Sequence, residues 1–263
     1  MSEIQFQAGA VPGYDQLVGE LTRRLTPTVI RAAHLKVGQH VLDVACGTGL
    51  AAEAASTTVG QSGRITAADI SPAMIDAARK RLRGSSNVVL AIEDAQAMSF
   101  PEGSFDAVIC NMGLMFFPNA AQALAEFYRV LRPGGRVAVS VNTSPKRSLI
   151  IRVLVAIDLR VQSKNERSGP STFDGSERRL RRLFESTGFR EVETTMETRQ
   201  IGFPSFDAFF FGLENGAGHV GQEYLALPQD VRRAVREDVR NEVGDTGGPI
   251  HVDVDITFAS GRK

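Results

Sequence analysis

The sequence predicts an α/β fold with a mostly parallel sheet and helices on both faces. Short apolar runs alternate with helix-period stretches up to about residue 142, the pattern of a parallel sheet wrapped by crossover helices. The run Val41-Leu-Asp-Val-Ala-Cys-Gly-Thr-Gly-Leu50 reads as a buried strand, a glycine turn and the start of an alanine-rich helix. A second apolar run, Arg64 to Asp69, also ends in a carboxylate.

The elements follow in order. Leu17, Leu21, Leu25, Val29 and Ala33 step by four, which predicts an amphipathic helical region over 14–34. Pro27 is expected to kink that region or break it into two pieces. Gly47 and Gly49 let the backbone take angles a Cβ would block, and the helix start behind them offers unpaired N–H groups. After the Arg64–Asp69 strand, Ser71 is a suitable N-cap and Pro72 suits the first helical position. Strands are predicted over 87–92 and 105–111. In Leu131-Arg-Pro-Gly-Gly135, Pro133 cannot continue a helix and Gly134 is expected to supply the left-handed residue after it. A fifth strand then covers 136–141. A helix over 176–187 closes at Gly188, and strands cover 189–198 and 251–259.

The glycine loop points to a nucleotide-like ligand but does not choose one. Gly47-Thr-Gly49-Leu-Ala-Ala52 fits the dinucleotide pattern G-x-G-x-x-G/A only loosely. Asp43 lies on the strand side of the glycines, where it would repel a pyrophosphate and favour a cation. S-adenosylmethionine is a cationic, phosphate-free adenosine compound of that kind. Asp69 falls 20 residues after Gly49 (69 − 49), where a carboxylate can accept from ribose hydroxyls.

The ordered motifs DVACGTG, AADIS, EDAQAMSFPEGSFDAV and LRPGGRVAVS resemble the class I S-adenosylmethionine-dependent methyltransferases. The likeness is to the branch around the ubiquinone/menaquinone C-methyltransferases, and it covers roughly residues 35–144. It implies a Rossmann-like, doubly wound sheet of seven strands whose last strand is antiparallel. It assigns the first loop to the cofactor: Asp43, Ala45, Gly47 and Gly49, with Ala45 standing where the family often has glycine. By the same likeness Asp94 and Ala95 meet the adenine edge, and Asn111 the methionyl part or the acceptor. Ile70 and Met74 are the candidate walls around adenine. Tyr14, ahead of the first helix, stands where relatives close an aromatic ring over the cofactor. No catalytic base declares itself; Tyr14 and His219 are the candidates. No Cys/His cluster accompanies Cys46 or Cys110, so no metal is expected, and both thiols read as buried packers.

Composition narrows the partners. Among 263 residues, Lys plus Arg equals Asp plus Glu, 30 each. That balance argues against nucleic acid, as does Asn111-Met-Gly-Leu, which lacks the proline pair of a nucleic-acid-methylating NPPY tetrapeptide. No apolar window spans a membrane, and no signal pattern or disulfide framework is visible, so a cytoplasmic setting is expected. The chain reads as a single domain over 1–263, with a core at about 35–144, 176–200 and 250–260. Insertions at 145–175 and 203–248 are expected to form a helical lid over the acceptor pocket. The expected activity is in-line methyl transfer to a small, apolar or aromatic molecule. Alternatives are a non-catalytic S-adenosylmethionine-binding regulator, an NAD(P)-dependent oxidoreductase and a nucleic-acid methyltransferase. A homodimer is compatible with the sequence, which carries no direct sign of one.

Overall fold

Val41, Leu42 and Val44, with Ile65, Ala67 and Ala68, are all buried, as strands covered by helices on both faces require. The computed structural model describes residues 11–143, 149–161 and 173–263. The strands are β1 (His40–Val44), β2 (Arg64–Asp69), β3 (Val88–Ile92), β4 (Phe105–Asn111), β5 (Leu131–Asn142), β6 (Arg190–Phe203) and β7 (Ile250–Arg262). They form one sheet in the order β3-β2-β1-β4-β5-β7-β6. β1 to β5 run parallel, and β7 pairs antiparallel with both β5 and β6. Strand order reverses between β1 and β4, which opens a crevice at their C-terminal ends.

The helices are α1 (Val11–Tyr14), α2 (Glu20–Ala32), α3 (Leu50–Val59), α4 (Pro72–Arg81), α5 (Ala120–Val130), α6 (Leu149–Val161), α7 (Glu177–Thr187), α8 (Phe206–Glu214), α9 (Gly218–Leu225) and α10 (Gln229–Glu242). A π-helical segment, Asp15–Gly19, joins α1 to α2. Side chains end several orphan N–H rows: Ser71 Oγ accepts from Met74 N, Ser176 Oγ from Arg179 N and Ser205 Oγ from Ala208 N. Gly188, at φ +104°, closes α7.

Several elements differ from the sequence expectation. Pro27 neither breaks nor ends α2, which runs through it. The carbonyl that Pro27 leaves without an N–H partner belongs to Arg23, and both residues are exposed, where solvent can satisfy such a group. The irregularity falls instead at the π segment, and Tyr14 ends α1 rather than preceding the helices. α5 stops because Leu131 turns extended; Gly134 is left-handed, but three residues further on, inside a bulge of β5 against β4. β6 and β7 run longer than predicted, through Phe203 and from Ile250. Residues 199–203 alternate weakly by themselves; their pairing, closed at Phe203↔Ile250, makes them a strand.

Two apolar clusters result. One lies on the sheet, between α2 and α3 and around Phe105, Phe127 and Phe184. The other gathers Leu17, Val153 and Ile157 of α6, Phe206, Phe209, Phe210 and Leu213 of α8, Val235 and Val239 of α10, and Ile250 and Val252 at the start of β7. Arg236 and Arg240 close it from outside. Their guanidinium carbons lie 5.4 Å and 4.8 Å from the Phe206 ring centre, and both donate to Asp207. So the helical parts of both insertions share one core with the N-terminal segment. The loop portions 145–148 and 162–172 lie outside the described residues. Among the described residues, no helix is long and apolar enough to cross a membrane.

Pro27→Ala is expected to restore the missing helix bond and raise stability by about 1–3 kcal/mol in urea denaturation. No gain would mean that α2 depends on a bend at that position.

Candidate functional site

The loop between β1 and α3 is built on left-handed residues. Ala45, Gly47 and Gly49 take φ +54°, +55° and +86°. Alternation of this kind turns main-chain N–H groups toward one concavity. A non-glycine residue in this region is strained by roughly 1–2 kcal/mol, and Ala45 carries that strain. Its methyl has room because residue 113 is glycine: a Cβ there would fall 2.7 Å from that of Ala45. Met112, at φ +62°, is a second strained residue, on the β4 side of the crevice. At Gly49 a Cβ would come within 2.9 Å of Leu82 Cδ1 and 3.2 Å of Ala78 Cβ, so α4 packs directly on the loop.

Two buried carboxylates stand behind this loop. Asp43 is 1% exposed, and its Oδ2 has no hydrogen-bond partner. Burial, with the nearby charge of Asp69, pushes its pKa up to about 8. Asp69 is also buried, which raises its pKa, while main-chain N–H groups pull the other way. Its Oδ2 accepts from Gly47 N at 2.9 Å and its Oδ1 from Ser71 N at 2.9 Å. One side chain therefore fixes the β1 loop, the end of β2 and the start of α4 together.

The other predicted residues fall around the same crevice. Ile70 follows Asp69 and is 60% exposed, whereas Met74 is buried in the first turn of α4. Asp94 Oδ1 accepts from Gln96 N at 2.9 Å in the turn after β3, and Ala95 is buried. Asn111, at the end of β4, is engaged on both sides. Its Nδ2 donates to Thr26 Oγ1 at 3.0 Å, and its Oδ1 accepts from Ser140 Oγ at 2.6 Å. The Tyr14 ring lies over the loop: a Cβ on Gly47 would be 3.5 Å from its hydroxyl. Burial and the charges of Asp69 and Asp15 push its phenol well above the usual range, so it stays protonated. Cys46 and Cys110 are buried and their thiols are pushed up, as for packing residues. His219 belongs to α9, but its side chain lies outside the described residues. No group of three or more metal-binding side chains occurs among the described residues.

Sequence reasoning missed a polar network beside the loop. Asp15 Oδ1 accepts from Thr48 Oγ1 at 2.5 Å, and Asp15 Oδ2 from Arg81 Nη2 at 2.5 Å. Arg81 Nε donates to Thr48 O at 2.8 Å. The partners stand 33 and 66 residues apart, so only Thr48, sitting between the two loop glycines, offered a local signal.

The crevice suits a cationic adenosine ligand: glycines allow close approach, an orphaned carboxylate lies behind them, and exposed Ile70 flanks them. Comparison with known proteins agrees. A family model described as a methyltransferase domain matches residues 42–139. Demethylmenaquinone methyltransferase from Staphylococcus haemolyticus is 33% identical over 177 residues, 63% of this chain and 74% of that protein. Aklanonic acid methyltransferase DauC from Streptomyces sp. is 37% identical over 134 residues, 50% of this chain and 60% of that protein. Among solved structures, a Haemonchus contortus phosphoethanolamine N-methyltransferase in complex with S-adenosyl-L-methionine aligns at TM-score 0.60 and 17% identity, over 98% of this chain and 58% of that one. A SAM-dependent methyltransferase from Aquifex aeolicus aligns at TM-score 0.54 and 20% identity, over 72% and 91%. At these identities the structures attest the fold. The chain belongs to the class I S-adenosylmethionine-dependent methyltransferases. It is an enzyme that uses S-adenosylmethionine to methylate a small molecule.

Gly49→Ala is expected to cost about 2–4 kcal/mol of stability in urea denaturation, from left-handed strain plus overpacking against α4. A neutral result would mean that α4 can withdraw from the loop. A pH dependence also follows. Both carboxyls have folded pKa values above the unfolded range, so each favours the fold while protonated. That contribution is complete below the unfolded value of 3.8 and is lost as pH rises through the folded value, about 8 for Asp43. The ligand-free protein is expected to lose stability between about pH 5 and about pH 8, and Asp43→Asn to flatten that slope. An unchanged slope in the variant would place its origin in other groups.

Proposed function

We propose that the crevice at the ends of β1 and β4 holds S-adenosylmethionine against a small, apolar or aromatic acceptor, and that the whole chain works as one methyltransferase unit. The observation that carries this reading is the buried, unpartnered Oδ2 of Asp43 behind the left-handed loop. Burial holds this carboxyl largely protonated in the ligand-free protein; a bound cation would draw its pKa down and pair with the ionised form, whereas a pyrophosphate would oppose ionisation, which favours a sulfonium amino acid over a nicotinamide dinucleotide. In this reading Ala45, Gly47 and Gly49 bring the main chain close to the ligand. Asp69 accepts from the ribose hydroxyls on lone pairs left over by Gly47 and Ser71. Ile70 and Met74 flank the adenine, and Asp94 and the Ala95 main chain meet its edge. Asn111 reaches the methionyl part only through lone pairs that Ser140 does not use.

The bound cofactor supplies a methyl group already activated by its sulfonium leaving group. The chain's own task is to hold the acceptor in line behind that group and to keep water out. Orientation of this kind offsets roughly 7–11 kcal/mol of barrier. A base is needed only where the acceptor carries a proton that must leave early. Tyr14, held protonated, suits a hydrogen-bond donor to the ligand better than a base. The layer of α6 and α8 to α10 is the lid of the acceptor pocket in this reading. Exposed Ile92, the last residue of β3, and Phe116, in the turn that follows β4, supply apolar surface beyond the C-terminal ends of those strands. The balanced charge supports a small acceptor over nucleic acid.

Two measurements test this. A screen of phenols, quinones, amines and acids with methyl-labelled cofactor is expected to give transfer to an apolar or aromatic member; transfer only to polar amines or acids would overturn the acceptor class. Asp69→Ala is expected to lose about 10- to 100-fold in cofactor affinity by calorimetry, the effect of a charge-assisted hydrogen bond. Unchanged affinity would move the ribose contact elsewhere.

A further inference from the structure

The segment 13–19 touches two bodies at once. On one side it lies against the lid: a Cβ on Gly212 of α8 would fall 2.8 Å from Leu17 Cβ and 3.0 Å from Gly13 O. Leu17 is buried in the lid's own apolar cluster. On the other side the segment lies against the cofactor loop. Asp15 takes the Thr48 hydroxyl and the Arg81 guanidinium at 2.5 Å each, and Arg81 also holds the Thr48 carbonyl. Gly19 faces Leu50, the first residue of α3 behind the loop: a Cβ there would be 3.4 Å from Leu50 Cδ1. Residues 13 and 17 are about one turn apart and face the lid, while 15 and 19, also about a turn apart, face the loop. The segment between is π-helical, a conformation that is rare and gathers at functional positions.

Thr48 is the middle residue of Gly47-Thr-Gly49, so a ligand that moves this loop would carry Thr48 with it. Its hydroxyl and its carbonyl are both tied to the Asp15–Arg81 pair, whose side chains are 33% and 18% exposed and so are only partly screened by water. A shift of the loop on ligand binding therefore has a short, polar route to Asp15, and from Asp15 through one helical turn to α8.

We propose that Asp15 is a positioning residue that couples occupancy of the cofactor loop to the lid, so that cofactor loads first and steadies α8 and α9 for the acceptor. This rests on the cofactor reading given above. Coupling is reciprocal: whatever steadies the lid tightens the hold on cofactor by the same factor.

Hydrogen exchange of the full-length protein, with and without S-adenosylhomocysteine, tests it. In the wild type, ligand is expected to slow exchange over 206–225 about fivefold or more, a coupling of ordinary size. Asp15→Asn and Thr48→Val should lose that protection and bind the ligand about 5- to 50-fold more weakly. Thr48→Ser, which keeps the hydroxyl, should behave as the wild type, a rescue that a purely structural role for residue 48 would not give. Thermal melting of each variant checks that it folds, and the Val/Ser pair at position 48 carries the test if Asp15→Asn does not. Lid protection that persists in Asp15→Asn and Thr48→Val while ligand still binds would overturn the coupling alone. A wild type that binds no S-adenosylhomocysteine would overturn the cofactor reading and the coupling with it.

Discussion

The Asp69 carboxylate is the joint on which the crevice depends. It takes one N–H from the β1 loop and one from the turn into α4, both at 2.9 Å, and it does so while almost wholly buried. A buried carboxylate without such partners would cost several kcal/mol, and with them it becomes a rigid link between neighbouring βα turns. Ser71 can serve it because it caps α4, where main-chain N–H groups lack helical partners, and Gly47 because it lies in the loop between β1 and α3, outside any ladder. Asp69 thus sets the spacing of the two turns. Asp43 sits behind this joint with no comparable relief, and its cost is carried by the surrounding core.

Much of this was legible in the sequence, for a physical reason. Elements whose signals are local came out nearly as predicted: β2 as Arg64–Asp69, β4 as Phe105–Asn111, and α4 with Ser71 and Pro72 at its start. The expected residues of the first loop, Asp69, Ile70 and Asp94 all end strands or begin turns, and their places follow from the βα repeat. What failed depends on partners far along the chain. The extension of β6 to Phe203 exists because β7 lies beside it. The unbroken course of α2 through Pro27 is a different case, decided by exposure rather than by a distant partner: Arg23 and Pro27 both face solvent, where a lost helix bond costs less. The Asp15–Thr48–Arg81 network joins three elements by charge and hydroxyl alone, and no periodicity or motif announces it.

Unfavourable conformations are not spread evenly over the molecule. Ala45 and Met112, two of the four non-glycine residues at positive φ among those described, flank the reversal of strand order on its two sides. Asp43 buries an unpaired carboxylate oxygen at the same place. Such costs persist where surrounding packing over-determines them, and Val41, Leu42, Ile109 and Ala138 supply it with side chains wholly out of water. The sheet is the rigid body; the strained ends of β1 and β4 are held in shape by it rather than by their own preferences.

The helical layer that gathers both insertions is built on different terms. Its apolar cluster draws on residue 17, on both insertions and on the first residues of β7, so it is assembled from distant pieces of chain. Its outer surface is closed by Arg236 and Arg240 over aromatic rings, with Asp207 partly neutralising both, and exposed charge pairs of this sort contribute little each. A layer with its own small core and a polar outer seal is the part of such a molecule that opens first, at less than the cost of global unfolding. In the reading proposed above, that is the physical requirement on a cover that must admit an acceptor and release a methylated product, while the sheet keeps the ends of β1 and β4 in register.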